Sequence, residues 1–544
     1  METLRKTFLT LSLLSSIFSI ASSRSAPASS SNIEWWCKLT PHPMPCKHYI
    51  STQIMTKHHF KIKHKIEFRG MLVQLALDQA LIMQKEANDS DQNNMSTKNH
   101  RTVHGDCLKL YEKTIFHLNR TLECLHVKPN CSPDDTQTWL SAALTNIQTC
   151  ETGTVDLGVQ DLKVPIVSNN VTEMIRNSLA INMDFLKQHK AAQSYDHHNN
   201  HTAEKTQENV FPSWFSTHER KLLQSSSVKA QLVVAKDGSG NFRTVQDALN
   251  AAAKRRTMTR FVIYVKKGVY RENIEVAVNN DNIMLIGDGM RNTIITSGRS
   301  VQDGYTTYSS ATAGIDGLHF IARDITFQNT AGPHKGQAVA LRSASDLSVF
   351  FRCIIAGYQD TLMAHAQRQF YRQCYIYGTV DFIFGNAAVV FQNCYIFARR
   401  PLDGQANMIT AQGRGDPFQN SGISIHDSQI RAAPDLRPVV NQYNTFLGRP
   451  WQQYSRVVVM KTFMDTLVSP LGWSPWGNSN FAQDTLYYGE YQNYGPGAST
   501  TNRVKWPGFH VITSPAEASQ FTVSRLLAGP TWLPSTTVPF TSGL

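Results

Sequence analysis

The chain has 544 residues, 41% of them hydrophobic, which is enough to bury a sizeable core and suggests two or more domains. Its formal net charge of +12 reads as a solvated basic surface or as affinity for a polyanion. The chain lacks a nucleic-acid fold signature, so an acidic polysaccharide suits that charge better than nucleic acid.

The first residues read as a secretory signal over 1–23. Arg5 and Lys6 form a basic start, Phe8 to Ile20 is an apolar run diluted by serine, and Ala21-Ser22-Ser23 offers a cleavage site. A retained signal anchor is the alternative, and no later segment suits a bilayer span. Six N-x-[ST] sequons follow, at Asn88, Asn94, Asn119, Asn130, Asn170 and Asn200. Their confinement to the first 200 residues points to a domain boundary soon after.

Residues 32–185 read as helical. Phe68, Met71, Leu72, Leu75, Ile82 and Met83 fall on one helical face. Trp139, Ala143, Asn146, Ile147 and Cys150 share another, after the start signals Asp134-Asp135-Thr136. Six cysteines lie here: Cys37, Cys46, Cys107, Cys124, Cys131 and Cys150. The even number suggests disulfides, whose connectivity does not follow from spacing. Nowhere in the chain is there a CxxC, so zinc-ribbon spacing is absent. Residues 186–223 read as a linker, polar and carrying His197, His198 and His201 without fixed ligand spacing. It ends at Arg220-Lys221-Leu222-Leu223, a basic stretch open to proteases.

From residue 224 onward short strands dominate, such as Phe261 to Val265, Ile283 to Ile286 and Phe320 to Phe327. A phrase repeats within them. Cys353-Ile-Ile-Ala-Gly357-Tyr-Gln-Asp360 is echoed by Cys374-Tyr-Ile-Tyr-Gly378-Thr-Val-Asp381, 21 residues on. Phe391-Gln-Asn-Cys394 keeps the front of the phrase and drops the acid. A rung-like period of this size suggests a parallel β-helix. Strands in register are about 4.8 Å apart, so Asp360 and Asp381 become neighbours on one face. Cys353, Cys374 and Cys394 then stack inside the coil, either as small buried hydrophobes or with one adjacent pair as a disulfide.

No G-x-S-x-G elbow, H-E-x-x-H or Walker loop occurs, so any chemistry falls to carboxylates. Two close carboxylates resist ionising together, which yields one acid and one nucleophile; a polar ladder is the bland alternative. Gln337 and Gln359 offer amide donors for an oxyanion. Arg449 can pair with one carboxylate and keep it ionised, and Trp451 can stack on a sugar or merely pack.

At these residues the chain resembles plant pectinesterases. The matching phrases are Lys236-Asp-Gly-Ser-Gly-Asn-Phe242, Gly336-Gln-Ala-Val-Ala-Leu341, Gly357-Tyr-Gln-Asp-Thr-Leu362, Gly378-Thr-Val-Asp-Phe-Ile-Phe-Gly-Asn386, Thr410-Ala-Gln-Gly-Arg414 and Leu447-Gly-Arg-Pro-Trp451. The resemblance implies a right-handed parallel β-helix over 224–544 that removes methyl esters from galacturonate units of pectin (methyl-esterified homogalacturonan). It implies Asp381 as nucleophile, Asp360 as proton donor, Gln337 and Gln359 as oxyanion hole, and Arg449 as the partner of Asp381. Thr307, Gln337, Arg449 and Trp451 would contact the sugar. No metal or cofactor is implied.

More loosely, residues 32–185 resemble the pectinesterase-inhibitor domain, an all-α four-helix bundle. That resemblance implies Cys37–Cys46 and Cys107–Cys150 disulfides; in the repeat of the second domain, Cys374–Cys394 is the adjacent pair that could bridge. It also implies an autoinhibitory or folding pro-region and separation by a subtilase-type protease at Arg220, Lys221, Leu222 and Leu223. The implied protein is a secreted, cell-wall monomer open to a proteinaceous inhibitor. Three departures stand out: Tyr308 where Phe is usual, Gly336 where His is common, and Met363 where Tyr is common.

Overall fold

The structure is a computed structural model that describes residues 31–56, 62–89, 97–127, 131–162, 170–199, 229–257 and 259–544. The expected leader, the Arg220–Leu223 site and the sequons at Asn94, Asn130 and Asn200 lie outside them. Asn88, Asn119 and Asn170 are exposed. No helix among the described residues is long and apolar enough to cross a membrane.

The N-terminal part is helical: α1 (Ser31–Cys37), α2 (Pro43–Thr56), α3 (Lys65–Asp89), α4 (Lys98–Val127), α5 (Pro133–Asp156) and α6 (Val171–Asn199). The long helices α3 to α6 pack side by side as a bundle. Its core includes Phe68, Leu72, Leu110, Tyr111, Leu144, Ile147, Ile175 and Leu179. Disulfides join Cys37 to Cys46, Cys107 to Cys150 and Cys124 to Cys131. The second ties α4 to α5.

Three local readings differ from the structure. Ile82, expected on the buried face of α3, is 46% exposed. The close-packed face there is carried by Ala76, Ala80 and Ala87, whose small side chains admit the neighbouring helices. The last helix runs past residue 185 to Asn199, into the stretch read as linker; residues 171–199 contain no Gly or Pro to stop it. Finally, α5 is buried on almost every side, from Thr136 to Thr154. A helix buried all round is covered on two faces. One face of α5 meets the bundle; on the other, Ala142 packs on Ala344 and Ala366 of the following domain. Its start is fixed locally by Ser132, which caps Asp135 N–H while the Asp135 carboxylate accepts the Ser132 N–H.

The second part is a right-handed parallel β-helix of three sheets with eleven, seven and eight strands. Their strands pair in parallel across successive turns, as in Ile354↔Tyr375↔Tyr395 and Leu362↔Ile383. The repeated phrase therefore stacks on itself. Phe350, Tyr371 and Phe391 form an internal column with ring centroids 4.7 Å apart at each step. The helix Val245–Ala253 packs Val245, Ala248, Leu249 and Ala252 into the same core.

The three cysteines stack inside the coil as free thiols, so the Cys374–Cys394 bridge is not made. Each Sγ instead donates to a carbonyl of the rung before: Cys353 to Ala322 at 3.6 Å, Cys374 to Phe350 at 3.3 Å and Cys394 to Tyr371 at 3.5 Å. Parallel strands in register aim the three side chains the same way, and the carbonyls give each thiol a partner of its own.

Candidate active site

The cleft lies on the seven-stranded sheet, above strands Leu341–Ser343, Leu362–Ala364, Ile383–Gly385, Asn407–Gln412 and Thr445–Gly448. Asp360 and Asp381 each sit two residues before their strand, on adjacent rungs, and both adopt the left-handed conformation, with φ of 60° and 50°. The glycine three residues before each acid makes this corner possible. A Cβ at Gly378 would lie 2.2 Å from Phe382 Cβ, and one at Gly357 would lie 2.8 Å from Thr361 Oγ1. The rungs are joined at the corner, where Asp360 N–H donates to Val380 O at 3.0 Å.

Arg449 follows the strand Thr445–Gly448 and reaches back over two rungs. Its Nε donates to Asp381 Oδ1 at 2.8 Å and its Nη2 to Asp381 Oδ2 at 2.6 Å, a bidentate pair. The guanidinium lies 4.4 Å from the ring centroid of Trp476. Thr307, Gln337, Gln359, Asp360, Asp381, Arg449 and Trp451 all line one cavity of about 260 Å³. Its floor is apolar: Ala311, Val339, Met363, Phe384 and Ala411 cluster, with Trp451 packed against them.

The two acids are electrostatically unequal. Burial pushes Asp381 up, but the paired Arg449 opposes the rise directly. Burial pushes Asp360 far above the ordinary carboxylate range, and the neighbouring charges of Asp381 and Asp156 add to it. A single proton shared by the pair therefore rests on Asp360, and Asp381 keeps the negative charge. Among the described residues no three His, Cys, Asp or Glu side chains gather in a form that holds a metal.

Sequence reasoning missed the other half of the cavity wall. Thr149, Thr152, Val155 and Asp156 of α5 line it, as does Trp476. Asp156 Oδ2 accepts the Thr307 N–H at 2.8 Å, and burial raises this carboxyl too. The rest of α5 is fastened along the adjoining corner of the coil. Thr149 Oγ1 lies 2.8 Å from His365 Nε2, Asn386 Nδ2 donates to Thr145 Oγ1 at 2.9 Å, and Gln419 Nε2 donates to Ser141 O at 3.1 Å. Burial pushes the His365 imidazole down to about 3, so it is neutral. These partners lie 151 to 278 residues apart in the chain, and no local pattern announces them. Only the pair Trp473-Ser-Pro-Trp476 offers a visible signal, as an aromatic cluster beyond the last catalytic phrase.

Residues 231–530 match the family model Pectinesterase, and residues 31–181 match that of the plant invertase/pectin methylesterase inhibitor. The chain is 56% identical over 528 residues to probable pectinesterase/pectinesterase inhibitor 33 of Arabidopsis thaliana, covering 95% of this chain and 86% of that one. It is 50% identical over 512 residues to pectinesterase 2 of Citrus sinensis, covering 94% and 95%. Among solved structures, pectin methylesterase from carrot is similar, at 58% identity and a TM-score of 0.58, over 59% of this chain and all of that one.

Proposed function

The chain belongs to the pectinesterase family and carries a pectin methylesterase inhibitor-like domain ahead of its catalytic β-helix; from that premise we propose how its residues divide the work. Asp381 is the nucleophile and Asp360 the acid and base. The observation that carries this assignment is the bidentate Arg449, which pairs with Asp381, whereas Asp360 has no ion pair among the described residues.

Asp381 attacks the ester carbonyl carbon of a methyl galacturonate, and a C–O bond forms. The carbonyl electrons move to oxygen, where the amides of Gln337 and Gln359 receive the charge. Collapse of the tetrahedral species breaks the bond to methoxide, which takes the proton of Asp360 and leaves as methanol. Asp360, now a carboxylate, accepts a proton from water. The hydroxide so formed attacks the acyl-enzyme, freeing Asp381 and a galacturonate carboxyl. Thr307, Arg449 and Trp451 orient the sugar over the apolar floor, and the basic surface retains the increasingly anionic product. Asp381→Asn in the catalytic domain tests the assignment. Methanol release from methylated pectin is expected to fall at least ~10³-fold; a normal rate would refute it.

The helical domain is the enzyme's inhibitor in cis. Support comes from α5, whose Thr149 to Asp156 segment stands where a polymer would have to lie. The working division is a leader over 1–23, the helical pro-region over 32–199, a linker over 200–223 cut at Arg220–Leu223 by a subtilase-type protease, and a secreted monomeric catalytic domain over 224–544. A separate inhibitor protein of the same helical type would compete for the same surface. The test compares methanol release by the intact chain and by the chain cut after Leu223 and freed of its helical part. The account expects a silent intact chain and an active product; equal rates would refute the inhibitory role.

A further inference from the structure

α4 delivers a lysine into a charge network that otherwise belongs wholly to the β-helix. Arg342 Nη1 donates to Asp316 Oδ1 at 2.8 Å, and Arg342 Nη2 donates to Glu275 Oε2 at 2.9 Å. The Arg342 and Asp316 side chains are only 1% and 6% exposed. By itself this set holds two carboxylates and one guanidinium. Lys113 Nζ meets the free oxygen, Asp316 Oδ2, at 2.6 Å and balances the charge. It also donates to the hydroxyl of Tyr308. The Tyr308 ring is close to both cations, its centroid 4.1 Å from the Arg342 guanidinium and 5.0 Å from the Lys113 ammonium. Burial would raise Asp316, and Arg342 and Lys113 overcome it, holding the carboxyl well below its usual range.

A mirror-image arrangement stands further along the same interface. Arg368 grips Asp346 through Nε and Nη2, both at 2.9 Å. Its second partner is Asp135 of α5, at 2.8 Å. Here the helical domain supplies the negative charge, whereas at Asp316 it supplies the positive one. Lys113, Asp316, Arg342 and Glu275 do not line the cavity around Asp360 and Asp381. Tyr308, which packs against them, does line it, so the arrangement serves contact between the domains and reaches the ester cavity only through that ring.

We propose that Lys113 is the docking determinant by which the helical domain recognises the catalytic domain of its own chain, completing the Asp316–Arg342–Glu275 network and reading the Tyr308 hydroxyl. The inference rests on the reading that the docked helical domain silences the enzyme. Discrimination comes from the penalty for mismatch: a helical domain with a neutral or acidic residue at this point seals Asp316 away from water with half its partners missing. Tyr308, a departure from the usual Phe, supplies a hydroxyl oxygen that accepts from the Lys113 ammonium.

The experiment uses the full chain with its linker uncut, as wild type, Lys113→Met, Lys113→Arg, Asp316→Asn and the Lys113→Met/Asp316→Asn double variant. Two readouts are taken: methanol release from methylated pectin, and hydrogen exchange of the α5 amides. Lys113→Met is expected to raise methanol release at least about tenfold over the uncut wild type, equivalent to about 1.4 kcal/mol of docking. It is also expected to speed exchange in α5. Asp316→Asn, which leaves the helical domain's own sequence intact, should do the same; Lys113→Arg should stay close to wild type. The double variant should exceed Lys113→Met by less than about twofold, because both changes remove one contact. Lys113→Met as silent as wild type, with unchanged α5 exchange, would overturn the proposal, as would a double variant showing the full product of both single effects. An uncut wild type as active as the freed catalytic domain, with α5 exchange still dependent on Lys113, would overturn the silencing role and leave the docking role standing.

Discussion

Replacing Arg449 by methionine keeps much of the side chain's volume and removes the charge that separates the two acids. Arg449 holds Asp381 by hydrogen bonds of 2.8 and 2.6 Å, with the side chains 23% and 10% exposed. Removing one member of a buried ion pair costs about 3–5 kcal/mol. The guanidinium keeps some contact with water, so the lower end, about 3 kcal/mol, applies. Without the guanidinium, burial acts on the Asp381 carboxyl unopposed and raises it further. Attack requires the carboxylate, so the acidic limb of the pH–kcat/KM profile moves toward higher pH. On that limb, at any fixed pH, the variant runs about a hundredfold slower than wild type, the rate equivalent of about 3 kcal/mol. Asp360 also loses a nearby cation, which keeps it protonated and leaves its role intact. The assay is methanol release by the freed catalytic domain across the pH range, with Arg449→Lys as a variant of smaller shift. An acidic limb that stays in place while the rate falls uniformly would refute the electrostatic role and leave Arg449 as a positioning group.

Other outcomes follow from the same geometry. Gln337→Ala or Gln359→Ala should each lower kcat about 10²- to 10³-fold with little change in KM, since the amides act on charge that appears only in the transition state; a change confined to KM would contradict this. Cys353, Cys374 and Cys394 are fully buried, and burial pushes the Cys374 thiol far up. A thiol reagent should therefore label them only after unfolding, with three equivalents taken up; rapid labelling of the native protein, or uptake of only one, would contradict the free-thiol column. Burial pushes His117 down to about 3. Between that value and about 6.5 the unfolded chain binds a proton that the folded chain refuses, so this residue's contribution to stability falls as pH drops through the window. The melting temperature of wild type should therefore fall relative to that of His117→Gln between about pH 6.5 and pH 4; parallel curves would contradict it.

Much of the catalytic face was legible because a parallel coil turns sequence period into spatial adjacency. The 21-residue echo put Asp360 beside Asp381, and the structure joins their rungs through Asp360 N–H and Val380 O. The inequality of the acids depends on Arg449, 68 residues beyond Asp381, and only the resemblance singled it out as that acid's partner. The contacts of the helical domain with the β-helix were not legible at all. Asp156 meets Thr307 across 151 residues, and Lys113 meets Tyr308 across 195, with nothing periodic between them. The periodic reading of α5 found one apolar face, but Trp139 turns the other way and donates to Asp346 of the β-helix at 3.2 Å. On α3 the same reading chose Ile82 for its size, whereas close helix packing there is served by alanines. The thiol column was placed correctly inside the coil, but spacing does not say whether neighbouring sulfurs bond to each other or to carbonyls.

The account turns on Asp381 forming a covalent bond to the substrate. The most direct measurement is rapid acid quench of the freed catalytic domain with a methyl-esterified oligogalacturonate, followed by mass spectrometry of its peptides. The account predicts an adduct of the oligosaccharide less methanol on the peptide that contains Asp381, absent in Asp381→Asn. An adduct on Asp360, or full methanol release by Asp381→Asn, would contradict it.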